Sequence, residues 1–135
     1  RGVFTKISRT TGKKELCRAV LDAIALQITD IVELMKEEGG FPLERLFVDG
    51  GPTKNAWLMQ RQADLLQGTV EVPAAEELSA LGAAYAAGID VGLYDASIFR
   101  QMARTAYDHA MEAPAREKLR DGWKRAVREV IEASK

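Results

Sequence analysis

The sequence predicts an α/β fold with a small, mostly parallel sheet. Short β-branched or apolar runs alternate with amphipathic segments in the order strand, helix, strand, helix, strand, helix, helix, helix. After Arg45, the run Leu46-Phe47-Val48 is continuously apolar and too short for a helix, as a buried parallel strand would be. Two or three short strands are few for this class, so the pattern is that of half a domain. Length agrees: 135 residues, 47% apolar and 29% charged, suffice for one core and not two.

Each element has a local reason. Residues 1–12 alternate apolar and polar (Val3, Phe4, Ile7) and end in Thr-Thr-Gly, which reads as a short strand or extended segment. Residues 13–38 read as a helix. Leu16, Val20, Ala23, Ile24, Ile28, Ile31, Leu34 and Met35 recur at threes and fours to form its apolar face, and Lys14, Arg18, Asp22, Asp30, Glu33 and Glu37 form a solvated one. Gly39-Gly40 stops it. Phe41-Pro42 opens the connection to the strand at 45–48. A helix over about 53–67 follows, closed by Gly68. Thr69-Val70-Glu71-Val72 is a strand, placed at an edge because Pro73 ends it.

Glu76 and Glu77 put acid in the first turn of a third helix, about 76–88, built mostly of small residues that permit close packing. Asp95 and Ser97 are helix-start residues for a modest helix over 96–106. Residues 107–114 read as irregular and 115–133 as a last helix, with Leu119, Trp123, Ala126, Val127, Val130 and Ile131 on one face. Residues 95–135 would thus be a helical extension of one domain spanning 1–135.

Composition excludes several functions. Nineteen basic and twenty acidic residues give a net charge of −1, without the basic excess of a nucleic-acid binder. No apolar run approaches the ~20 residues that span a bilayer. One cysteine, Cys17, makes no internal disulfide, and one histidine, His109, builds no zinc site. No signal peptide is visible, which predicts a reducing, cytoplasmic setting. Cys17 is expected to be buried. His109 beside Asp108 is not read as a dyad, because adjacent side chains do not face each other. The basic residues of the last helix, Arg116 and Arg120 among them, are diluted by acids and read as a solvated face. Trp57 and Trp123 read as core or interdomain packing.

The chemistry-bearing feature is Val48-Asp49-Gly50-Gly51-Pro52-Thr53-Lys54-Asn55. It leaves the carboxyl end of a strand, where open α/β sheets bind ligands, and enters a helix. Two glycines let backbone approach a ligand. Unpaired N–H groups at the helix start suit a phosphate, and Asn55 offers a donor and an acceptor to a sugar or base. Lys54 could reach a phosphate or simply face solvent. The same turn also reads as an ordinary strand-to-helix connection, and it is not a Walker motif.

Residues 46–94, LFVDGGPTKNAWLMQRQADLLQGTVEVPAAEELSALGAAYAAGIDVGLY, resemble the carboxyl-terminal domain of the FGGY carbohydrate kinases. Three motifs stand in the family's order. Gly2-Val3-Phe4-Thr5-Lys6-Ile7 with 15–22 (ELCRAVLD) is similar to the family's second signature, with Lys6 where glycine is usual. The Asp49-Gly50-Gly51 turn with Asn55 comes next, then Pro73 with 77–84 (ELSALGAA). The Asp-Gly-Gly turn and 122–127 (GWKRAV) are most like the glycerol kinases.

The resemblance implies a ribonuclease-H-like, actin-like ATPase fold of two domains, with ATP and Mg2+ in the cleft. It implies phosphoryl transfer from ATP to a polyol or sugar. Gly50, Gly51 and Asn55 match residues that contact the nucleotide, and Asp49 fixes the turn. The family's catalytic aspartate and most sugar contacts lie in the amino-terminal domain, so this chain alone is expected to carry no catalytic residue, no metal ligand and no kinase activity. Xylulose- or fuculose-type kinases, or a non-catalytic nucleotide-binding module, are the rival expectations. A truncated sheet should also expose a raw edge and an apolar face, and so favour a homo-oligomer or marginal stability.

Overall fold

The computed structural model describes residues 2–40, 42–75 and 78–133. Its elements are α1 (Lys13–Gly39), β1 (Arg45–Phe47), α2 (Ala56–Leu66), β2 (Thr69–Pro73), α3 (Leu78–Asp90), β3 (Arg104–Asp108) and α4 (Ala113–Glu132), with 3-10 turns at Gly51–Lys54 and Ala96–Arg100. The sheet order is β1-β2-β3. β1 and β2 pair in parallel, with Leu46 opposite Val70, whereas β3 adds an antiparallel edge, with Tyr107 opposite Val70.

Segment 2–12 forms no strand and is broken by a bend at Lys6 and a turn at residues 9–10. Lys6 there takes φ 60, a left-handed conformation that favours glycine. Gly40 (φ 63) caps α1 and donates to the Lys36 carbonyl at 3.0 Å, as the double glycine predicts. Helix α2 is closed not by Gly68 but by Gln67, at φ 54. Gly68 is needed for a different reason: a Cβ there would stand 2.8 Å from the Glu44 carbonyl oxygen.

Further expectations are corrected. The helix over 96–106 is a 3-10 turn followed by β3, which also takes in part of the stretch read as irregular. Asp95 does cap its turn, accepting from the Ser97 N–H at 2.7 Å, but the turn ends at Arg100. β2 is the central strand; Pro73 stands at its last position, and pairing on the β3 side continues past it through the Ala74 N–H, which donates to the Ala103 carbonyl at 2.9 Å. Cys17 is exposed. The Glu76 and Glu77 reading, with the start of α3, and the Phe41 reading fall outside the described residues.

The core lies where α1 and α2 meet beneath the sheet: Ala25, Leu26 and Val32 of α1, Leu58, Met59, Ala63, Leu65 and Leu66 of α2, and Val70 of β2. Leu119 and Trp123 of α4 pack against it. The predicted apolar face of α1 is not the buried one, since Ile24, Ile28, Ile31, Leu34 and Met35 are exposed. Nor are its acids merely solvated. Asp22 pairs with Arg61 at 2.6 Å, Glu33 with Arg116 at 3.1 Å, and Asp30 accepts from the Trp123 indole at 2.6 Å. Arg116 and Arg120 are thereby drawn inward, at 12% and 13% side-chain exposure. Helix α3 stands beside the 97–99 turn, where Tyr85 meets Tyr94 and Phe99 edge to face. No helix among the described residues is long and apolar enough to cross a membrane.

Candidate functional site

The 48–55 turn follows directly from the carboxyl end of β1. Val48 still donates to the β2 carbonyl of Glu71 at 3.1 Å, so the sheet ladder fixes where the turn begins. Asp49 then folds its carboxylate back onto the Gly50 N–H at 2.6 Å. Gly50 adopts φ 97, ψ 175, a conformation that an L side chain rarely takes. Its carbonyl accepts from the Thr53 N–H at 3.0 Å and the Thr53 hydroxyl at 2.7 Å. Pro52 fits early in the 3-10 turn, where its missing N–H costs little.

Asn55 closes the turn and opens α2. Its Oδ1 accepts from the Leu58 N–H at 3.1 Å, an N-cap that satisfies one of the helix's free donors. Its own N–H donates to the Pro52 carbonyl at 3.1 Å. The side-chain acceptor is thus committed to the helix and the side-chain NH2 is left to donate outward. Gly50, Gly51 and Asn55 are all exposed and share this one turn.

Gly51 differs from Gly50. Its φ is not positive, and a Cβ built on it would meet nothing within 4 Å. The backbone therefore requires glycine at 50 and leaves 51 free to carry a side chain.

Beside the turn, Trp57 in the first turn of α2 is 36% exposed, with the Arg18 and Arg61 guanidinium groups 4.9 and 5.7 Å from its ring centroid. Sequence reading placed Trp57 in packing but missed these cation–π contacts, one of which comes from Arg18 on another helix. Asp108 is engaged with the Thr69 hydroxyl at 2.7 Å, and His109 lines a separate cleft of about 540 Å³ with Lys36, Leu43, Gln67 and Arg116. That cleft lies at the opposite end of β1 and β2 from the turn. Among the described residues no three His, Cys, Asp or Glu side chains group to hold a metal.

The sequence profile of the carboxyl-terminal domain of the FGGY family of carbohydrate kinases matches residues 1–91. The chain is 45% identical over 130 residues to the glycerol kinase of Halorhodospira halophila, covering 95% of this chain and 26% of that protein. It is 40% identical to the glycerol kinase of Haemophilus influenzae, covering 100% and 27%. Its backbone is similar to a crystal structure of Plasmodium falciparum glycerol kinase with ADP, at a TM-score of 0.82, 31% identity and 92% and 26% coverage. It is also similar to the xylulose kinase of Rhodospirillum rubrum, at a TM-score of 0.75, 28% identity and 98% and 26% coverage. The chain spans about a quarter of the length of these relatives.

Proposed function

Because the chain belongs to the FGGY family of carbohydrate kinases, as its carboxyl-terminal domain, we propose that it forms the nucleotide-binding wall of an ATP-dependent kinase acting on glycerol. Glycerol is preferred over xylulose because the curated relatives at 40–45% identity are glycerol kinases, and among the solved structures the glycerol kinase is the nearer of the two, at 31% identity and a TM-score of 0.82 against 28% and 0.75. One observation carries the nucleotide assignment to this turn: just past the carboxyl end of β1, where open α/β sheets bind ligands, an exposed glycine that the fold does not require, Gly51, stands beside one that it does, Gly50. A close-approaching ligand supplies the missing reason.

The division of labour follows from the chemistry. Phosphoryl transfer is chiefly positioning and charge stabilisation. Gly50 and Gly51 offer bare backbone to the phosphate and ribose. Asn55, its Oδ1 already fixed by the Leu58 N–H, offers its NH2 as a rigid donor to the base. Asp49 is held by Gly50 and shapes the turn. The described residues build no cage for Mg2+, so the ion would come bound to the nucleotide phosphates, as it commonly does. The base that takes the proton of the glycerol hydroxyl, and most of the groups that hold glycerol, would come from residues outside this chain, so the chain alone would not transfer phosphate.

The test is Gly51→Leu. The new side chain enters open space, so the thermal midpoint stays that of the parent chain. Affinity for MgADP, followed by amide NMR, falls on the order of tenfold or more because the approach is blocked. Unchanged MgADP affinity in a folded Gly51→Leu chain would sink the assignment.

A further inference from the structure

The turn holds its ligand-facing peptide by one side chain. The Gly50 carbonyl oxygen accepts twice from Thr53, from its N–H at 3.0 Å and from its hydroxyl at 2.7 Å. The Gly50–Gly51 peptide is trans, so fixing its carbonyl also fixes its N–H on the opposite edge. That N–H belongs to Gly51, which is exposed. A peptide between two glycines has no Cβ on either side to restrain its rotation. Asp49 restrains the preceding peptide through the Gly50 N–H. Among the described residues, the Thr53 hydroxyl is the side-chain group that restrains the next one.

We propose that Thr53 is a positioning residue for nucleotide binding. Its hydroxyl holds the Gly50–Gly51 peptide so that the Gly51 N–H faces an oxygen of the bound nucleotide. Thr53 itself is half-buried and spends its hydroxyl proton on the Gly50 carbonyl, so it acts through the peptide and not on the ligand. A backbone N–H held in advance costs less to order on binding than one that must be selected from several orientations. The inference rests on the turn being the nucleotide site and adds the group that sets its geometry.

Valine keeps the shape of threonine without the hydroxyl, and serine keeps the hydroxyl without the methyl. The experiment titrates the 135-residue chain, Thr53→Val and Thr53→Ser with MgADP, reading each amide by NMR and each thermal midpoint by circular dichroism. In the parent chain and Thr53→Ser, MgADP shifts the Gly51 amide with similar affinity. In Thr53→Val affinity falls roughly three- to tenfold, the scale of one hydrogen bond. The ligand-free Gly51 amide of that variant also has a lower NMR order parameter, while the midpoint stays close to that of Thr53→Ser.

Three results overturn the inference, each in a distinguishable way. If MgADP shifts Gly51 equally in parent and Thr53→Val, the hydroxyl has no positioning role and the nucleotide site stands. If Thr53→Ser weakens binding as much as Thr53→Val, a retained hydroxyl does not preserve affinity, and binding depends on the whole threonine side chain and not on the hydroxyl's hold on the peptide. If MgADP shifts nothing between 49 and 56 in the parent chain, the nucleotide site itself fails, and Thr53 with it. Thr53→Ala serves in place of valine should the latter not fold.

Discussion

Two sides of α1 are apolar in sequence and opposite in fate. Ala25, Leu26, Thr29 and Val32 are buried against α2, whereas Ile24, Ile28, Ile31, Leu34 and Met35 face outward, Ile31 at 60% exposure. A helix that keeps water away on one side only has one apolar stripe; α1 has two. Periodicity identifies that a helix is there and that it is apolar, but it ranks stripes by composition alone. The richer stripe in isoleucine and leucine is the one this chain leaves open. The buried stripe is chosen by what α2 can fit, including small Ala25 and a polar Thr29.

The sharpest way to break this comparison is to remove the same kind of side chain from each stripe. Leu26→Ala, at 7% exposure, is expected to cost roughly 3 kcal/mol through lost burial and the cavity left behind. Ile31→Ala should stay within about 0.5 kcal/mol, as exposed substitutions do. Urea denaturation at low protein concentration checks both. A loss at Ile31 as large as that at Leu26 would show the outer stripe covered in solution, and sedimentation would then report whether a second copy covers it.

Legibility follows the same division between local and distant causes. α1, β1, α2, β2 and α4 carry their own signals: periodic apolar residues, a β-branched run, a glycine stop. β3 carries almost none. Of its residues Arg104, Thr105, Ala106, Tyr107 and Asp108, only Tyr107 packs against the core, so no alternation announces a strand. It is a strand because β2 offers an unpaired edge. The partners of the α1 acids are likewise distant, Arg61 being 39 and Arg116 83 residues along the chain. The 49–55 turn, by contrast, was legible as a turn because its hydrogen bonds span three residues or fewer. The contrast between a glycine required at 50 and a free one at 51 lies in the folded backbone, in the positive φ of Gly50 and the open space beside Gly51.

A smaller effect tests why polar Thr29 belongs to the buried stripe. Its hydroxyl donates to the Ala25 carbonyl at 2.8 Å and accepts from the Gln62 side chain at 3.1 Å. Gln62 is 2% exposed, and its Oε1 has no partner among the described residues. Thr29→Val should cost about 1–3 kcal/mol by leaving the Gln62 amide unpaired. Adding Gln62→Leu should recover much of that loss, since two apolar groups leave nothing unsatisfied. A double variant as unstable as the sum of the singles would mean the pair contributes by shape and not by hydrogen bonding.

The smallest effect lies at the start of α1, outside both stripes. Glu15 accepts from the Gly12 N–H at 2.9 Å. Backbone hydrogen bonding, from its own N–H first and then from that of Gly12, holds its carboxyl below the usual carboxylate range against a minor opposing effect of burial. The sign follows directly. A carboxyl depressed in the folded chain contributes stability above its unfolded value, and that contribution is lost as pH falls through the folded value. Glu15→Gln keeps an acceptor for the Gly12 N–H, since glutamine also serves at this position, but has no charge to titrate. The parent chain should therefore exceed Glu15→Gln in thermal midpoint near neutral pH, with the gap closing as pH drops through and below the ordinary glutamate range. Midpoints measured from pH 7 to 3 on both chains decide it. A gap that stays constant with pH would assign the effect to shape at the helix start and not to the carboxylate charge.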